Sequence, residues 1–394
     1  MKLCLIGPAP PLRGGIAAHS VGLAEALEQR GHAVSVVSFR RLYPDGLFPG
    51  ASQHSGTARP GPGHLIDTLD PRSWRACAAH VRSLGCDAVL VQWWHPILAP
   101  ALLSILGRRG RPGRVPVVVV AHNVLPHEHV PGSAMLARAV LARADGALCH
   151  SRHVAAALAR LAPRLEPRVS PMPLLLDPAC APATRADARA QLGLDADGPL
   201  AAFVGHVRGY KGPDVLARAW KSARLPAGAR LLVAGESYLG RGRAARGLDA
   251  IRDDGSVTFI DRYLDDGELL AAVAAANLVV LPYRRASQSG LAPLAHALAV
   301  PILVSDAGGL AEIAVGHRSG SRASGMERDV VRAGDAEDLA RRLPRALGAA
   351  GPDGASYPSA ERRGCLQAAS WAGTADAVES LVGGGAHGDF VPTD

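Results

Sequence analysis

The stretch Phe203-Val-Gly-His-Val-Arg-Gly-Tyr-Lys-Gly-Pro-Asp214 ends an apolar run in a glycine-rich turn that carries Arg208 and Lys211, and helix-forming sequence follows. Strand, glycine turn and helix open a β-α-β unit, whose turn lies over the carboxyl ends of a parallel sheet, where ligands bind. A planar guanidinium and a point cation beside permissive backbone suit a diphosphate. The turn matches neither the P-loop nor the dinucleotide spacing, so taken alone it also reads as a solvated bend with two surface cations.

A second glycine turn, Gly7-Pro-Ala-Pro-Pro-Leu-Arg-Gly-Gly15, follows the apolar run Lys2–Ile6 and precedes a helical pattern from Ala17 to Gln29. Gly14 and Gly15 offer free amides at a helix start, which favour an anion, or they merely close a tight turn. Further strands are predicted at 88–92, 117–121 and 147–150, with the Pro-rich segment from Pro171 to Asp187 as a linker. Beyond it, runs at 200–204, 230–234, 257–260, 278–281 and 302–304 alternate with helical stretches. The chain therefore reads as two doubly wound α/β domains, 1–178 and 179–372, the last helix of the second being free to pack back on the first, with a tail over 373–394 whose Gly-rich end is expected to fray.

Composition narrows the class. The chain has 394 residues and a formal charge of +8, but its 43 Lys and Arg are dispersed, with no basic block or aromatic stripe, which argues against nucleic acid. Small anions, or the anionic face of a membrane, fit a diffuse positive field better. The 6 cysteines are scattered, as in a reducing compartment, and no apolar run reaches a membrane-spanning length. The N-terminus lacks the apolar core of a signal peptide. These features predict a cytoplasmic protein that meets a membrane, if at all, at its inner face.

Other residues invite chemistry. Ser287-Gln-Ser-Gly290 precedes a helix in which Pro293 fits only within the first turn, so Gln288, Ser289 and Gly290 stand at its amino end as an anion-receptive element or an ordinary cap. His122 closes the strand over 117–121 and begins a loop with His127, Glu128 and His129; the spacing matches no zinc motif, and a polar loop orienting substrate hydroxyls is the better reading. Trp93-Trp94 ends another strand, either stacking on a sugar or packing beneath a loop.

Taken together and in order, Gly14-Gly15, His122, Gly205…Arg208-x-x-Lys211-Gly212, Ser287-Gln-Ser-Gly290 and Pro301…Asp306-Ala-Gly-Gly-Leu-Ala-Glu312 resemble the retaining GT-B glycosyltransferases of family 4 over about 370 residues. The resemblance implies two Rossmann-like doubly wound parallel-sheet domains facing across a cleft. The second would hold a UDP- or GDP-linked sugar and the first an acceptor, either glycan, lipid-linked or a secondary metabolite, with no cofactor and no metal. It implies that Arg208 and Lys211 neutralise the departing diphosphate, that amides at Gly14, Gly15, Gln288, Ser289 and Gly290 bind its oxygens, and that His122 contacts the transferred hexose. Polysaccharide or natural-product biosynthesis is the implied setting. One departure stands out: Ala286 and Leu294 occupy the positions of the family's paired glutamates. A non-catalytic GT-B partner of another transferase is therefore the alternative.

Overall fold

The structure, a computed structural model, describes residues 1–44, 48, 50, 52–55, 61–108, 113–128, 130–195, 197–315, 330–349 and 370–383. Cys365, His129 and the polar end beyond 383 lie outside them.

The chain divides into two compact units, Met1–Leu175 with Ser370–Asp394, and Leu176–Ala369. The first unit is built on seven strands, β1 (Lys2–Ile6), β2 (Ala33–Arg41), β3 (His64–Asp67), β4 (Ala88–Trp93), β5 (Val117–Ala121), β6 (Gly146–Cys149) and β7 (Pro167–Val169). They pair in the order β3-β2-β1-β4-β5-β6-β7, every pairing parallel. The second unit repeats the order with β8 (Leu200–Val204), β9 (Arg230–Ala234), β10 (Val257–Ile260), β11 (Leu278–Leu281), β12 (Ile302–Ser305) and β13 (Val330–Val331), arranged β10-β9-β8-β11-β12-β13. Each sheet reverses direction of winding once, between β1 and β4 and between β8 and β11. Such switch points are where a doubly wound sheet opens a crevice for ligand.

The inner strands are uninterrupted apolar runs because helices cover both faces of each sheet. Val117-Val-Val-Val-Ala121 is wholly buried, as is Leu278-Val-Val-Leu281. One apolar cluster around Val89, Val119 and Leu102 lies on one face of the first sheet, and a second, around Leu5, Leu23 and Leu90, on the other. A single cluster serves the second unit.

Position 373, where a tail was expected, falls inside the helix Trp371–Gly383. That helix completes the second cluster of the first unit: Ala375 and Val378 are buried there, and the Trp371 indole N–H donates to the Leu174 carbonyl at 2.8 Å. The helix enters a groove on that unit. Gly22 makes that groove, since a Cβ there would sit 2.2 Å from Trp371 Cζ2. Gly22→Ala is expected to cost about 1–3 kcal/mol of stability through overpacking. Combining it with Trp371→Ala relieves the clash, so thermal unfolding of the double variant should show a loss smaller than the sum of the singles.

Candidate active site

The Gly205–Gly212 turn leaves β8 at the switch point of the second unit. The Gly205 N–H donates to the Ala234 carbonyl at 2.8 Å, tying the turn to the end of β9, and residues Gly209–Lys211 form one tight helical turn. Gly212 then takes φ 71°, and a Cβ there would stand 2.1 Å from the Pro282 carbonyl oxygen, so only glycine lets the turn press against the end of β11. Pro213 begins the helix Pro213–Ser222, where its fixed φ and missing N–H suit the first position.

Both cations of the turn face aromatic rings. The Arg208 guanidinium lies 4.7 Å from the Tyr238 ring centroid, and Lys211 Nζ lies 5.5 Å from that of Tyr283. Among the described residues Lys211 Nζ has no hydrogen-bond or ion-pair partner. Burial, and secondarily the charge of Arg208, lowers the Lys211 ammonium to about 8. Two cations held close, one of them desolvated and unmatched, form a site that an anion stabilises.

The segment after β11 supplies the neighbouring wall. The Tyr283 carbonyl accepts from Ser305 Oγ at 2.6 Å, and the next residue, Arg284, reaches back to the turn. Arg284 holds Asp214 through two bonds of 2.6 Å, donates to the Gly209 carbonyl at 3.2 Å, and its N–H donates to the Tyr210 carbonyl at 2.7 Å. Asp214 is 2% exposed. Burial alone would raise its carboxyl, but the Arg284 hydrogen bonds and charge outweigh that and hold it below the ordinary carboxylate range. This clamp fixes the cationic turn against the end of β11.

Gln288, Ser289 and Gly290 follow, ahead of the helix Leu291–Ala297, with Pro293 in its first turn as expected. Ser289 Oγ accepts from the Leu291 N–H at 3.3 Å, and Gln288 Oε1 is enclosed without a hydrogen-bond partner. Ala286 and Leu294 are 5% and 4% exposed and belong to the apolar core of the unit. Where the resemblance places carboxylates, this chain packs aliphatic side chains.

In the first unit, Gly14 caps the helix Gly15–Glu28 at φ 112°, a backbone that favours glycine. The Ala17 and Ala18 N–H groups donate to its carbonyl at 3.0 and 3.2 Å. His122 leaves β5 with its N–H donating to the Trp93 carbonyl at 2.9 Å. Its ring belongs to a buried group that the sequence does not announce. Gln92 Oε1 accepts from His122 Nε2 at 2.5 Å, and Gln92 Nε2 donates to His19 Nδ1 at 3.1 Å. His150 lies beside both rings, with centroids 4.8 Å from His19 and 5.6 Å from His122. Burial, then the neighbouring imidazoles, keeps His19 and His122 well below the usual histidine range. Burial likewise lowers His150 to about 4, so all three rings are neutral at pH 7.

One further expectation is resolved. Trp93 and Trp94 pack beneath loops, their indole N–H groups donating to the Val124 carbonyl at 3.2 Å and to the Tyr43 hydroxyl at 3.0 Å. Among the described residues no group of three or more His, Cys, Asp or Glu side chains is placed to hold a metal ion.

The sequence singles out the cationic turn, the Ser287–Gly290 segment, Gly14-Gly15 and His122; the structure adds Asp214–Arg284 and Tyr238 beside the turn, and Gln92, His19 and His150 beside His122. His19 sits on the buried face of an amphipathic helix, where a lone histidine ordinarily signals packing.

Residues 13–173 match the family described as Glycosyltransferase Family 4, and residues 198–348 match Glycosyl transferases group 1. The chain belongs to glycosyltransferase family 4. The chain is 35% identical over 202 residues to D-inositol 3-phosphate glycosyltransferases of Mycobacterium tuberculosis and Mycobacterium bovis. That match spans 50% of this chain and 39% of theirs. Among solved structures, sucrose-phosphate synthase from Thermosynechococcus elongatus superimposes with a TM-score of 0.72 at 22% identity, covering 97% of this chain and 98% of that one. HepE from Anabaena, solved in complex with UDP and glucose, gives 0.67 at 15%, covering 98% and 100%. These likenesses establish the GT-B fold, two Rossmann-like parallel-sheet domains, for this chain.

Proposed function

We propose that this family-4 chain transfers a hexose from a UDP- or GDP-linked sugar to a glycan, lipid-linked or secondary-metabolite acceptor, with retention of configuration and without a metal. The observation that carries the reading is the pairing of Arg208 with a desolvated, unpartnered Lys211 at the switch point of the second unit. In this reaction the bond between the anomeric carbon and the diphosphate oxygen breaks as the acceptor oxygen bonds the same carbon on the same face. The acceptor proton passes to the departing phosphate. Arg208 and Lys211 neutralise the charge that develops on that oxygen, which is the dominant stabilisation in such transfers. The N–H groups at Gln288, Ser289 and Gly290 bind phosphate oxygens on the same unit. Gly14 and Gly15 present amides at a helix start in the first unit, and His122 contacts the hexose.

Thermal unfolding with UDP or GDP, together with a panel of their hexose conjugates, tests the proposal. One nucleotide should raise the melting temperature, as expected for a ligand that binds only the folded chain, and its conjugate should be consumed. No shift with either nucleotide and no consumption of any donor would reject it.

Lys211 adds a pH signature. The diphosphate prefers the charged ammonium, which in the free protein is complete only below about 8. Nucleotide affinity should therefore stay flat below that pH and fall as pH rises through it, as calorimetry at several pH values would read.

A second reading is favoured by one observation. Ala286 and Leu294 lie in the core, so the positions where the resemblance places two carboxylates hold no polar side chain. A non-catalytic partner of another transferase would then keep its effect on that enzyme when Arg208 or Lys211 is substituted. Proportional loss of activity would exclude this reading.

A further inference from the structure

Inside the first unit, three ring systems, an amide and one carbonyl are buried together, and their hydrogen bonds fix where the protons lie. His150 Nδ1 lies 2.9 Å from the Ser170 carbonyl, which only accepts, so that nitrogen carries the hydrogen and His150 Nε2 keeps a lone pair. His19 and His150 meet edge to face, and the enclosed nitrogens without hydrogen-bond partners on these rings are His19 Nε2 and His150 Nε2. With Gln92 donating to His19 Nδ1, His19 carries its hydrogen on Nε2, and the adjoining rings present one N–H and one lone pair. If the Gln92 amide were reversed, His19 Nδ1 would become the donor and both enclosed nitrogens would be acceptors. In the Gln92 orientation of the structure Oε1 faces His122 Nε2, which therefore carries the hydrogen.

His122 is also the outlet of this buried group. Its Nδ1 is absent from the enclosed unpartnered nitrogens of the group, and no described residue bonds to it. Gly7 leaves room for the arrangement, since a Cβ there would stand 2.5 Å from Gln92 Cγ and 2.8 Å from Ser20 Oγ.

We propose that Gln92, held by His19, is a positioning residue that fixes His122 as the Nε2–H tautomer, so that Nδ1 offers a lone pair to a donor-sugar hydroxyl. The hydroxyl donates, and His122 accepts. A neutral ring with a fixed acceptor recognises a hydroxyl without adding positive charge where the anomeric carbon becomes electron-poor. This assignment rests on the proposed transfer reaction for its use, but not for its test.

The test reads nitrogen chemical shifts of histidine-labelled full-length protein without ligand. In the wild-type chain His122 should be the Nε2–H tautomer, and in Gln92→Leu it should become a mixture. Gln92→Glu, whose carboxylate still accepts from His122 Nε2, should restore the single tautomer. Finding His122 as Nδ1–H in the wild-type chain overturns the proposal, even if Gln92→Leu does not fold. An unchanged tautomer in a folded Gln92→Leu overturns it as well. With an active donor, Gln92→Leu should lower kcat roughly tenfold at unchanged donor KM, and an unchanged kcat would remove the positioning role. Absence of any donor turnover in the wild-type chain counts against the proposed reaction, while the tautomer measurement still decides the arrangement of the cluster.

Discussion

Lys211→Ala is expected to lower donor turnover by about 10²–10³-fold, the range found when one preorganised donor to a developing oxyanion is removed. The magnitude follows from where the cation sits. Its Nζ is desolvated, faces the Tyr283 ring at 5.5 Å and has no carboxylate among the described residues to share its charge. Its charge is therefore undiluted until a diphosphate arrives. The same geometry predicts that stability does not suffer. Removing a desolvated ammonium from beside Arg208 relieves repulsion, so the melting temperature of the free protein should stay level or rise. Lys211→Arg should rescue poorly, because a planar fork on a longer side chain does not place its charge where the compact ammonium lies. Steady-state kinetics with the accepted donor and thermal unfolding of the same samples provide both readouts. Turnover within threefold of wild type would show that Lys211 is not the charge that meets the leaving group.

The inner strands are legible because a strand buried on both faces must be continuously apolar, as in Val117–Ala121 and Leu278–Leu281. Strands β3, β7 and β13 escape notice because they are short edge strands; Pro167-Arg-Val169 is largely exposed and carries no apolar pattern. At the site, whatever is encoded within a few residues can be read. Gly205, Arg208, Lys211 and Gly212 are neighbours in sequence, and their turn needs no distant partner to be recognised. The residues that hold them come from far away. Arg284 is 70 positions from Asp214, and Gln92 is 73 from His19. Neither pair has a spacing rule; each exists because a parallel sheet brings the ends of non-consecutive strands together. The groove that receives the C-terminal helix is likewise unreadable from sequence, since Gly22 and Trp371 meet only in the folded unit.

Arg284→Ala is expected to destabilise the second unit by about 3 kcal/mol, at the lower end of the cost of stranding one partner of a buried ion pair. Asp214 is almost fully enclosed, and its two strong bonds come from Arg284. The lower end applies because Arg243 approaches Asp214 at 3.8 Å and keeps part of the compensation, while the Arg284 side chain is itself 31% exposed. The loss should appear as faster amide exchange in β8 and β11, leaving β1 and β5 of the first unit unaffected. The dependence on pH has a definite sign. Asp214 lies below the ordinary aspartate value of about 3.9, so the pair stabilises fully above that value and loses its contribution as pH falls through the lower folded value. The gap between wild type and Arg284→Ala should begin to narrow in mild acid, where the stranded Asp214 of the variant, raised by burial, takes up a proton, and close in stronger acid. Asp214→Asn separates charge from shape: it keeps an acceptor for Arg284 but removes the anion, and should cost less than Arg284→Ala because no buried charge is stranded. Since Arg284 also donates to the Gly209 carbonyl, both variants should weaken nucleotide binding, Arg284→Ala more than Asp214→Asn. Equal exchange rates in wild type and Arg284→Ala would mean that the turn is held by the Gly212–Pro282 packing alone, and the ion pair would lose its place as the brace of the phosphate site.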